Sequence, residues 1–346
     1  MPWIMPAETA PQDRVWMSFP VPGTSALGDD PEQQRAARAA WSGVANAILE
    51  FEPVTMVVDP GEEEEARAVL DPGVNVVVAP LDDSWIRDCG PTFVHAEDGS
   101  VAAVTWVFNG WGAQNWAKWE KDAKVGPLVA QLADVNRVDS DLVNEGGGIV
   151  VDGNGTVVVT ETVQLDPGRN PDLSREEVEA ELREKVGARQ VIWLKRGLYR
   201  DSQTFGTRGH ADILVAFPSP GTVLVHSQRN PEHPDFEVSR EIREVFENGA
   251  DADGNPWRII ELPAPEILRD DEDFIDYSYI NHLVVNDGVI ACVFEDPADD
   301  EALEILAAEY RGRKIVPIPA RAIFDRGGGV HCITQHQPSP LRPAAE

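Results

Sequence analysis

The sequence has few cysteines, and their spacing does not connect them. Cys89, Cys292 and Cys332 are an odd, widely separated set without a CxxC pair. Such a set argues against a disulfide framework and against a thiolate metal site, so we expect a reducing compartment. Cys89 and Cys292 lie in apolar, strand-like surroundings and are interpreted as structural. Cys332 follows a glycine-rich run and is the candidate for a chemical role.

Basic residues and long apolar runs are also scarce. The chain has 29 lysines and arginines against 60 aspartates and glutamates, a formal net charge of −31 at pH 7. This charge argues against nucleic acid or an anionic membrane surface as a partner and would attract a cationic substrate, although most acidic runs only solvate a surface. No segment approaches the roughly 18 apolar residues of a membrane-spanning helix, and residues 1–14 lack the pattern of a signal peptide. We expect a cytoplasmic protein.

A pattern of hairpin, helix and strand recurs about five times along the chain. Residues 1–80 alternate strand and helix, with Asp29 and Asp30 expected to cap a helix at 31–50. Four hairpins are then predicted, at 92–95 with 101–107, 149–151 with 156–160, 212–217 with 222–226, and 280–285 with 289–294. Helices are predicted after them at 115–133, 174–186, 235–248 and 299–311. A repeat of this kind predicts one closed α/β domain over residues 1–346 rather than two separate domains.

Polar residues lead into each predicted module. If the modules are equivalent around a common axis, these residues should converge on it. They are Asp88 before the first hairpin, Glu145 before the second, His210 and Asp212 at the third, Asn281 at the fourth, and Cys332 in the last glycine-rich segment.

One thiol, one imidazole and several carboxylates around a point suit a planar guanidinium. Two carboxylates, Asp88 and Asp212, could grip its N–H groups bidentately, so that its central carbon faces a Cys332 thiolate. His210, two residues from Asp212 on the same strand face, could protonate the departing ammonia and then take a proton from water. His210 and Asp212 could also be half of a metal site, but the sequence does not supply suitably spaced partners.

Each candidate also has a structural explanation. A lone cysteine is usually a small buried hydrophobe, and Asp88 could pair with its neighbour Arg87 or cap a turn. Glu145 could organise the glycines that follow it. Trp85 and Trp111 are most simply core aromatics, although one of them could cover the alkyl arm of a bound cation.

Several motifs occur in a fixed order between residues 15 and 338. They are W-x-R-D-x-G-P at 85–91, F-N-x-W-G at 108–112, E-G-G with D-G-x-G-T and R-N-P between 145 and 171, G-H-x-D at 209–212, and the glycine-rich segment at 327–335. This series resembles that of the agmatine deiminases and the related bacterial peptidylarginine deiminases of the guanidine-modifying superfamily.

The resemblance implies a five-module, pseudo-symmetric α/β propeller and a cysteine-dependent deiminase. The expected reaction converts agmatine to N-carbamoylputrescine and ammonia through a covalent thiouronium intermediate, as in putrescine biosynthesis. It implies Cys332 as nucleophile, His210 as acid/base, and Asp88 and Asp212 as the residues that hold the guanidinium. The residues we assign to substrate binding are Trp85, Trp111, Glu145, Arg208, Asn281 and Gly329. No cofactor or metal is implied, and family members are commonly homodimers.

Four positions depart from the family pattern. Arg208 stands where a neutral or acidic residue is usual, Val150 replaces a frequent histidine, His282 replaces an aromatic residue and His336 replaces a glutamine. A desolvated Arg208 near the pocket would repel the ammonium of agmatine by about a kcal/mol or more, and it would attract a carboxylate. The alternative substrates are therefore a guanidino acid, free arginine or peptidylarginine. Amidinotransfer and non-catalytic guanidine binding are less favoured alternatives.

Overall fold

Within the described residues, the strands form five separate small sheets. A computed structural model describes residues 3–24 and 30–341. The strands are β1 (Gln12–Ser18), β2 (Val54–Val58), β3 (Asn75–Val78), β4 (Thr92–His95), β5 (Val101–Val107), β6 (Asn136–Val143), β7 (Val150–Val151), β8 (Thr156–Thr160), β9 (Gln190–Leu194), β10 (Val215–Ser219), β11 (Thr222–Ser227), β12 (Arg258–Pro263), β13 (Leu283–Val285), β14 (Gly288–Val293), β15 (Lys314–Pro319) and β16 (Thr334–Pro338).

Helices alternate with these strands along the chain. The α-helices are α1 (Pro31–Ile48), α2 (Glu63–Val69), α3 (Ile86–Cys89), α4 (Gly110–Ala113), α5 (Val125–Leu132), α6 (Glu161–Gln164), α7 (Arg175–Val186), α8 (Asp235–Asn248), α9 (Asp299–Glu309) and α10 (Arg321–Phe324). Local sequence explains several ends. At the start of α1, the Asp30 side chain accepts a hydrogen bond from the Glu32 N–H, and Pro31 occupies the first helical position. At the start of α7, Ser174 forms a capping box with Glu177. No helix in the described ranges is long and apolar enough to cross a bilayer.

Four sheets share one topology. In each, an antiparallel hairpin is extended by a strand that runs parallel to the second hairpin strand, after a helical crossover. The sheets are β4-β5-β6, β7-β8-β9, β10-β11-β12 and β13-β14-β15. The repeat explains why strand and helix patterns recur along the sequence, and the prediction of a five-module α/β propeller is confirmed.

The fifth sheet joins the two ends of the chain. Strand β16 pairs antiparallel with β1, with Trp16 opposite Gln335, and β2 and β3 follow in parallel. The indole of Trp16 donates to Gln337 Oε1 at 3.0 Å. Closure therefore holds the glycine-rich segment before β16 in place between the first and fourth modules.

A tight turn precedes the first strand of every module, and at two of these places, from 212 and from 280, the sequence predicts strand. The turns contain α3 in the first module, the 3₁₀ helices Gly146–Gly148 and Ala211–Ile213 in the next two, residues 279–281 in the fourth and residues 330–333 in the fifth. Asp212 consequently lies in a 3₁₀ turn, so the expectation that it shares a strand face with His210 is wrong. The strands expected from 212 and 280 begin at Val215 and Leu283 because the preceding residues form these turns.

The helix predicted at 115–133 is also wrong in its first half. Only the 3₁₀ helix Asp122–Lys124 and α5 are helical. In the preceding segment Trp116 stacks on Trp111, with ring centroids 5.4 Å apart, and Lys121 N–H donates to Asp82. These tertiary contacts replace helical hydrogen bonds. The predicted cap residue Asp29 and residues 1–2 and 342–346 of the predicted domain lie outside the described residues.

Candidate active site

The lead-in turns of the first three modules meet at Gly147. A Cβ added to this glycine would lie 2.5 Å from His210 Nδ1 and 3.0 Å from an oxygen of both Asp212 and Asp88. Any side chain here would therefore collide with three polar groups. The convergence expected from the repeat is thus present, and glycine is what permits it.

The thiol of Cys332 lies beside this cluster. Its Sγ is 3.6 Å from Asp212 Oδ2 and 3.3 Å from Asn281 Nδ2, and the residue is 4% exposed. Asn281 also accepts hydrogen bonds from the backbone N–H groups of His331 (3.0 Å) and Cys332 (3.4 Å). Asn281 in the fourth module therefore positions the cysteine of the fifth.

Asp88 is held by donors on both of its oxygens. Trp111 Nε1 donates to Oδ2 at 2.9 Å, and the Gly147 N–H donates to Oδ1 at 3.2 Å. Burial, together with the charges of Asp212 and Glu145, raises the pKa of Asp88 to about 6, although the nearby imidazole of His210 opposes this shift. A cation that arrives between the carboxylates would relieve this repulsion.

His210 is supported by a chain of alternating charges. Its Nε2 lies 3.2 Å from Glu145 Oε2, and Arg169 Nε donates to both Glu145 oxygens at 3.0 Å. Burial disfavours the imidazolium, but Asp88 and Glu145 outweigh it and raise the pKa of His210 to about 9. Burial also disfavours ionised Glu145, yet Arg169 and His210 lower its pKa to about 2. His210 is therefore protonated at neutral pH.

The same chain continues to the surface at Arg208. Asp166 accepts from Arg169 Nη1 at 2.7 Å and from Arg208 Nη1 at 2.7 and 2.8 Å. The Arg208 side chain is 38% exposed. Arg208 is thus neutralised by Asp166, and it does not line the cavity that borders Cys332.

Two polar atoms beside the thiol make no hydrogen bond within the described part of the chain. They are Asp212 Oδ1 and His210 Nδ1, and both are buried. A buried acceptor without a hydrogen bond is costly, so its retention indicates a donor that comes from outside the protein. Asp212 Oδ1 can accept an N–H group, and His210 Nδ1 can exchange a proton.

The thiol itself is not ionised in this arrangement. Burial and the negative charges of Asp212 and Asp88 raise the pKa of Cys332 well above its usual value. Burial likewise raises the pKa of Cys292 to about 12, and that of Cys89 rises well above normal. What distinguishes Cys332 is its contacts, because its Sγ lies within 3.6 Å of Asp212 Oδ2 and 3.3 Å of Asn281 Nδ2.

Two further residues predicted to bind substrate, Trp85 and Gly329, lie around the glycine-rich loop that precedes Cys332. Trp85 is buried against Trp41, with centroids 5.7 Å apart, and a Cβ on Gly328 would lie 2.7 Å from it and 3.1 Å from Cys332 Sγ. Trp85 therefore lies behind the glycine loop close to the thiol. Gly329 packs against Phe324 and Asn281, so its lack of a side chain makes room for the residue that holds the cysteine.

Three of the four departures from the family pattern are buried and lie away from the thiol cavity. His282 lies 2.8 Å from both the Tyr279 carbonyl and the Tyr310 hydroxyl. His336 lies 3.4 Å from Arg87 Nη2, and Val150 is on β7. His282 and Val150 line a second small cavity, which reaches Asp212 from the other side.

Sequence reasoning missed several residues around the site. Arg169, His331 and Arg87 stand inside the recognised motifs and could have been examined there. Asp166 and Asp201 lie near these motifs without an obvious signal. Glu8 could not have been found from spacing, because it contacts His331, which is 323 residues away in sequence. No group of three or more histidine, cysteine, aspartate or glutamate side chains within the described ranges could hold a metal ion.

A five-module propeller that gathers a thiol, a carboxylate-backed imidazole and two further carboxylates at its lead-in turns has the features of the guanidine-modifying superfamily. The chain belongs to the family described as Porphyromonas-type peptidyl-arginine deiminase, whose model matches residues 4–338. The predicted family is confirmed, as is the prediction of a deiminase, a hydrolase that acts on C–N bonds.

Relatives in this family cover nearly the whole chain. It is 52% identical to a putative agmatine deiminase of Streptomyces coelicolor, over 98% of this chain and 99% of that protein. It is 39% identical to an agmatine deiminase of Pseudomonas putida, over 98% and 96% respectively. Among solved structures, the agmatine deiminase of Enterococcus faecalis superposes with a TM-score of 0.92 at 31% identity, covering 98% of this chain and 96% of that one.

Proposed function

We propose that this protein hydrolyses agmatine to N-carbamoylputrescine and ammonia. The observation that carries the proposal is the buried, unpartnered oxygen of Asp212 beside the Cys332 thiol. A guanidinium N–H fills that vacant acceptor, and Asp88 offers a second carboxylate for the other side of the same cation. Relatives named agmatine deiminase, at 39% identity over nearly the whole chain, support the choice of guanidine.

Substrate binding prepares the nucleophile. Without substrate, Asp88 and Asp212 keep the thiol protonated, since a thiolate would add a third negative charge. The bound guanidinium offsets part of the negative charge of the two carboxylates and lies next to the sulfur. The thiol proton then leaves to solvent, and the thiolate and the substrate cation form a mutually stabilising pair.

The covalent step uses the free nitrogen of His210. Cys332 Sγ attacks the guanidinium carbon, and the C–S bond forms as one C–N bond breaks. His210 Nδ1 donates its proton to the departing nitrogen, which leaves as ammonia, while Glu145 holds Nε2. As ammonia leaves with the C–N bonding pair, a lone pair of a remaining nitrogen re-forms the C=N bond, and a thiouronium remains on the cysteine.

Hydrolysis reverses the roles of these groups. His210, now neutral, takes a proton from water, and the water oxygen attacks the thiouronium carbon. The C–S bond then breaks, the sulfur leaves as thiolate, and loss of the remaining proton gives the ureido product. The product oxygen comes from water, which distinguishes hydrolysis from transfer to an amine.

The walls of the cavity favour a substrate with a second positive charge. The cavity that borders Cys332, His210 and Asp212 is also lined by Asp201 and Asp276, and no arginine or lysine of the described chain lines it. The Asp201 oxygens are occupied by Thr207 and by the His210 N–H. The carboxylate of Asp201 still favours a substrate whose end remote from the guanidinium carries an ammonium group over one that carries a carboxylate.

Asp276 is the free carboxylate of this cavity. It makes no hydrogen bond or ion pair with another described residue, and the nearby Arg200 is occupied by Asp270 and Glu272. Burial and the charges of Asp201 and Asp235 raise the pKa of Asp276 to about 8. The ammonium of agmatine would stabilise its ionised form, which we take as the reason for preferring agmatine to arginine.

Ammonia release from agmatine, free arginine, a guanidino acid and an arginine-containing peptide tests the substrate. We expect the highest kcat/KM with agmatine. Activity confined to the acids or the peptide would contradict the proposal, as would an amidinated amine in place of a ureido product. Incorporation of ¹⁸O from labelled water into the product separates hydrolysis from amidinotransfer.

The proposal also includes a single propeller domain over residues 1–346, a cytoplasmic location and a homodimer. The scarcity of cysteine supports the location, and the family resemblance supports the dimer. Light scattering after size-exclusion chromatography tests the dimer, for which a mass near twice 37.9 kDa is expected.

A further inference from the structure

His331 lies between two carboxylates. Its Nδ1 is 2.7 Å from Asp212 Oδ2, and its Nε2 is 2.6 Å from Glu8 Oε1. Ionised carboxylates only accept hydrogen bonds, so both ring nitrogens must donate, and an imidazole that donates from both nitrogens is an imidazolium. Glu8 lies in the segment before β1, and its side chain is 21% exposed, whereas the other two are buried.

We propose that Glu8 and His331 are positioning residues for Asp212, in a chain where Glu8 keeps His331 charged and His331 orients the carboxylate that grips the guanidinium. This inference rests on the proposed function of the site. It assigns a catalytic support to the N-terminal segment, which lies outside the recognised motifs.

The division of labour between the two Asp212 oxygens supports this role. His331 binds Oδ2, and Oδ1 is left free for the substrate. Oδ2 is also the oxygen 3.6 Å from Cys332 Sγ, so the imidazolium withdraws negative charge from the atom that faces the sulfur. Without a cation on Oδ2, Asp212 could rotate, and the thiol would lie nearer a full negative charge.

Several other charged and titratable groups face this chain. Arg87 Nε donates to the His331 carbonyl at 3.2 Å, and Arg87 Nη1 lies 3.8 Å from Glu8 Oε1. The remaining neighbours with an electrostatic effect on its three members are His210, Asp88, His282, His336, Cys332 and Tyr310. Glu8 therefore balances two cations, His331 and Arg87.

The sign of the expected pH effect follows from these charges. Burial and Arg87 disfavour charged His331, but Glu8 and Asp212 outweigh them and raise the pKa of His331. Burial disfavours ionised Asp212, yet His331 outweighs it and lowers the pKa of that carboxyl. Removing the charge of Glu8 therefore lowers the pKa of His331 and raises that of Asp212. Asp212 must be ionised to hold a cation. As pH falls, activity in the variant would therefore be lost at a higher pH than in the wild type.

Glu8→Gln tests the chain through the pH dependence of kcat/KM for agmatine. We expect kcat/KM on the acidic limb, below the pKa of about 6 of Asp88, to fall up to about tenfold further than in the wild type, mainly through KM, since a rise of one unit in the pKa of Asp212 lowers its ionised fraction by up to tenfold. Near pH 7, where Asp212 stays ionised, the change should be small. His331→Asn, which keeps an N–H near the Nδ1 position without the charge, should shift the same limb. Glu8→Asp should recover part of the wild-type profile.

Glu52→Gln is the matched control, because Glu52 is another buried carboxylate near the closing sheet, where it accepts the Asn286 N–H at 2.8 Å. Its profile should equal that of the wild type. A Glu8→Gln profile that coincides with that of Glu52→Gln would overturn the proposal, even if overall activity fell. If Glu8→Gln fails to fold, His331→Asn decides in the same way.

Nitrogen-15 NMR of labelled histidine gives a readout without turnover. The His331 resonances, assigned by their loss in His331→Asn, should be those of an imidazolium at neutral pH and should titrate at lower pH in Glu8→Gln. A neutral His331 in the wild type refutes the chain. Absence of wild-type activity on agmatine, with His331 charged, instead refutes the proposed function.

Discussion

His210 and Asp212, the two reactive groups beside Cys332, are each supported by a charged pair, and the pairs stabilise opposite charges. Behind His210, the carboxylate of Glu145 is kept ionised by Arg169, and Glu145 and Asp88 in turn keep the imidazole protonated. Behind Asp212, the imidazole of His331 is balanced by Glu8, and together they keep a carboxylate ionised. In both cases a buried charge is stabilised by an opposite one: Arg169 offsets the cost of burying Glu145, and Glu8 offsets the cost of burying charged His331.

The difference between the two chains lies in where their outer members come from. Arg169 and Asp166 follow the second hairpin and stand close to Glu145 in the sequence. Glu8 instead comes from the segment before the first strand and reaches a residue 323 positions away. Because β16 and β1 pair in the closing sheet, the support of Asp212 depends on contact between the two ends of the chain.

The largest loss of activity is expected when the nucleophile itself, Cys332, is replaced. Cys332→Ser should lower kcat by at least about 10³-fold while leaving agmatine binding largely intact, because the carboxylates remain. Single-turnover assays and calorimetric titration measure the two quantities. Cys89→Ala serves as the control and should retain activity. A fully active Cys332→Ser variant would refute covalent catalysis by this residue.

Breaking the His210 support should come next in size. Glu145→Gln removes the carboxylate that holds Nε2, and kcat should fall about 10²-fold. The pKa of His210 is about 9 in the intact site and should fall without Glu145. Imidazolium is the acid that protonates ammonia, and it is lost as pH rises through this pKa, so the basic limb should move to lower pH. An unmoved basic limb would mean that Glu145 only stabilises the fold.

A third comparison concerns the far end of the substrate. Asp276→Asn should raise KM for agmatine about tenfold through loss of a partly buried charge. It should leave KM for butylguanidine, which has the same arm without the ammonium, nearly unchanged. Equal effects on both compounds would show that Asp276 does not contact the ammonium.

Arg208→Ala removes the charged group at the surface end of the series that runs from His210 through Glu145, Arg169 and Asp166. Its guanidinium is already paired with Asp166 and partly exposed, and such pairs contribute little. We expect kcat/KM for agmatine and for arginine to change by less than about threefold. A large gain for agmatine would show that Arg208 acts on the substrate despite its pairing.

The smallest effect separates stability from catalysis in the closing module. Burial raises the pKa of Glu52 to about 7, from an ordinary value of 4.5. The protonated form is favoured in the folded state, so stability is greatest below the ordinary pKa and falls as pH rises towards 7. Glu52→Gln should therefore raise Tm by a few degrees at pH 8 and hardly at pH 5, which thermal unfolding would measure. A loss of stability at both pH values would contradict this interpretation.

The sequence was informative wherever the repeat imposed equivalence. Four hairpins and three of their crossover helices, at 174–186, 235–248 and 299–311, could be predicted because each has its own turn and apolar runs. The convergence of Asp88, His210, Asp212 and Cys332 followed from their equivalent places in the modules.

Predictions failed where tertiary contacts override local preference. The turn at 211–213 replaces an expected strand because His210 N–H bonds to Asp201 and Thr207, which fixes the backbone before the hairpin. Glu8 and its contact with His331 depend on the closure of the ring, and no periodicity encodes a contact between the two ends of a chain.

The kcat/KM profile for agmatine against pH, measured for the wild type, Glu145→Gln and Glu8→Gln in one buffer series, tests the account most directly. A protonated His210 together with ionised Asp88 and Asp212 predicts a bell-shaped wild-type curve. Glu145→Gln should lower its basic limb and leave the acidic limb in place, whereas Glu8→Gln should raise the acidic limb and leave the basic limb in place. Curves that fall in amplitude without moving either limb, or that move the same limb in both variants, would contradict two opposed supports around one guanidinium.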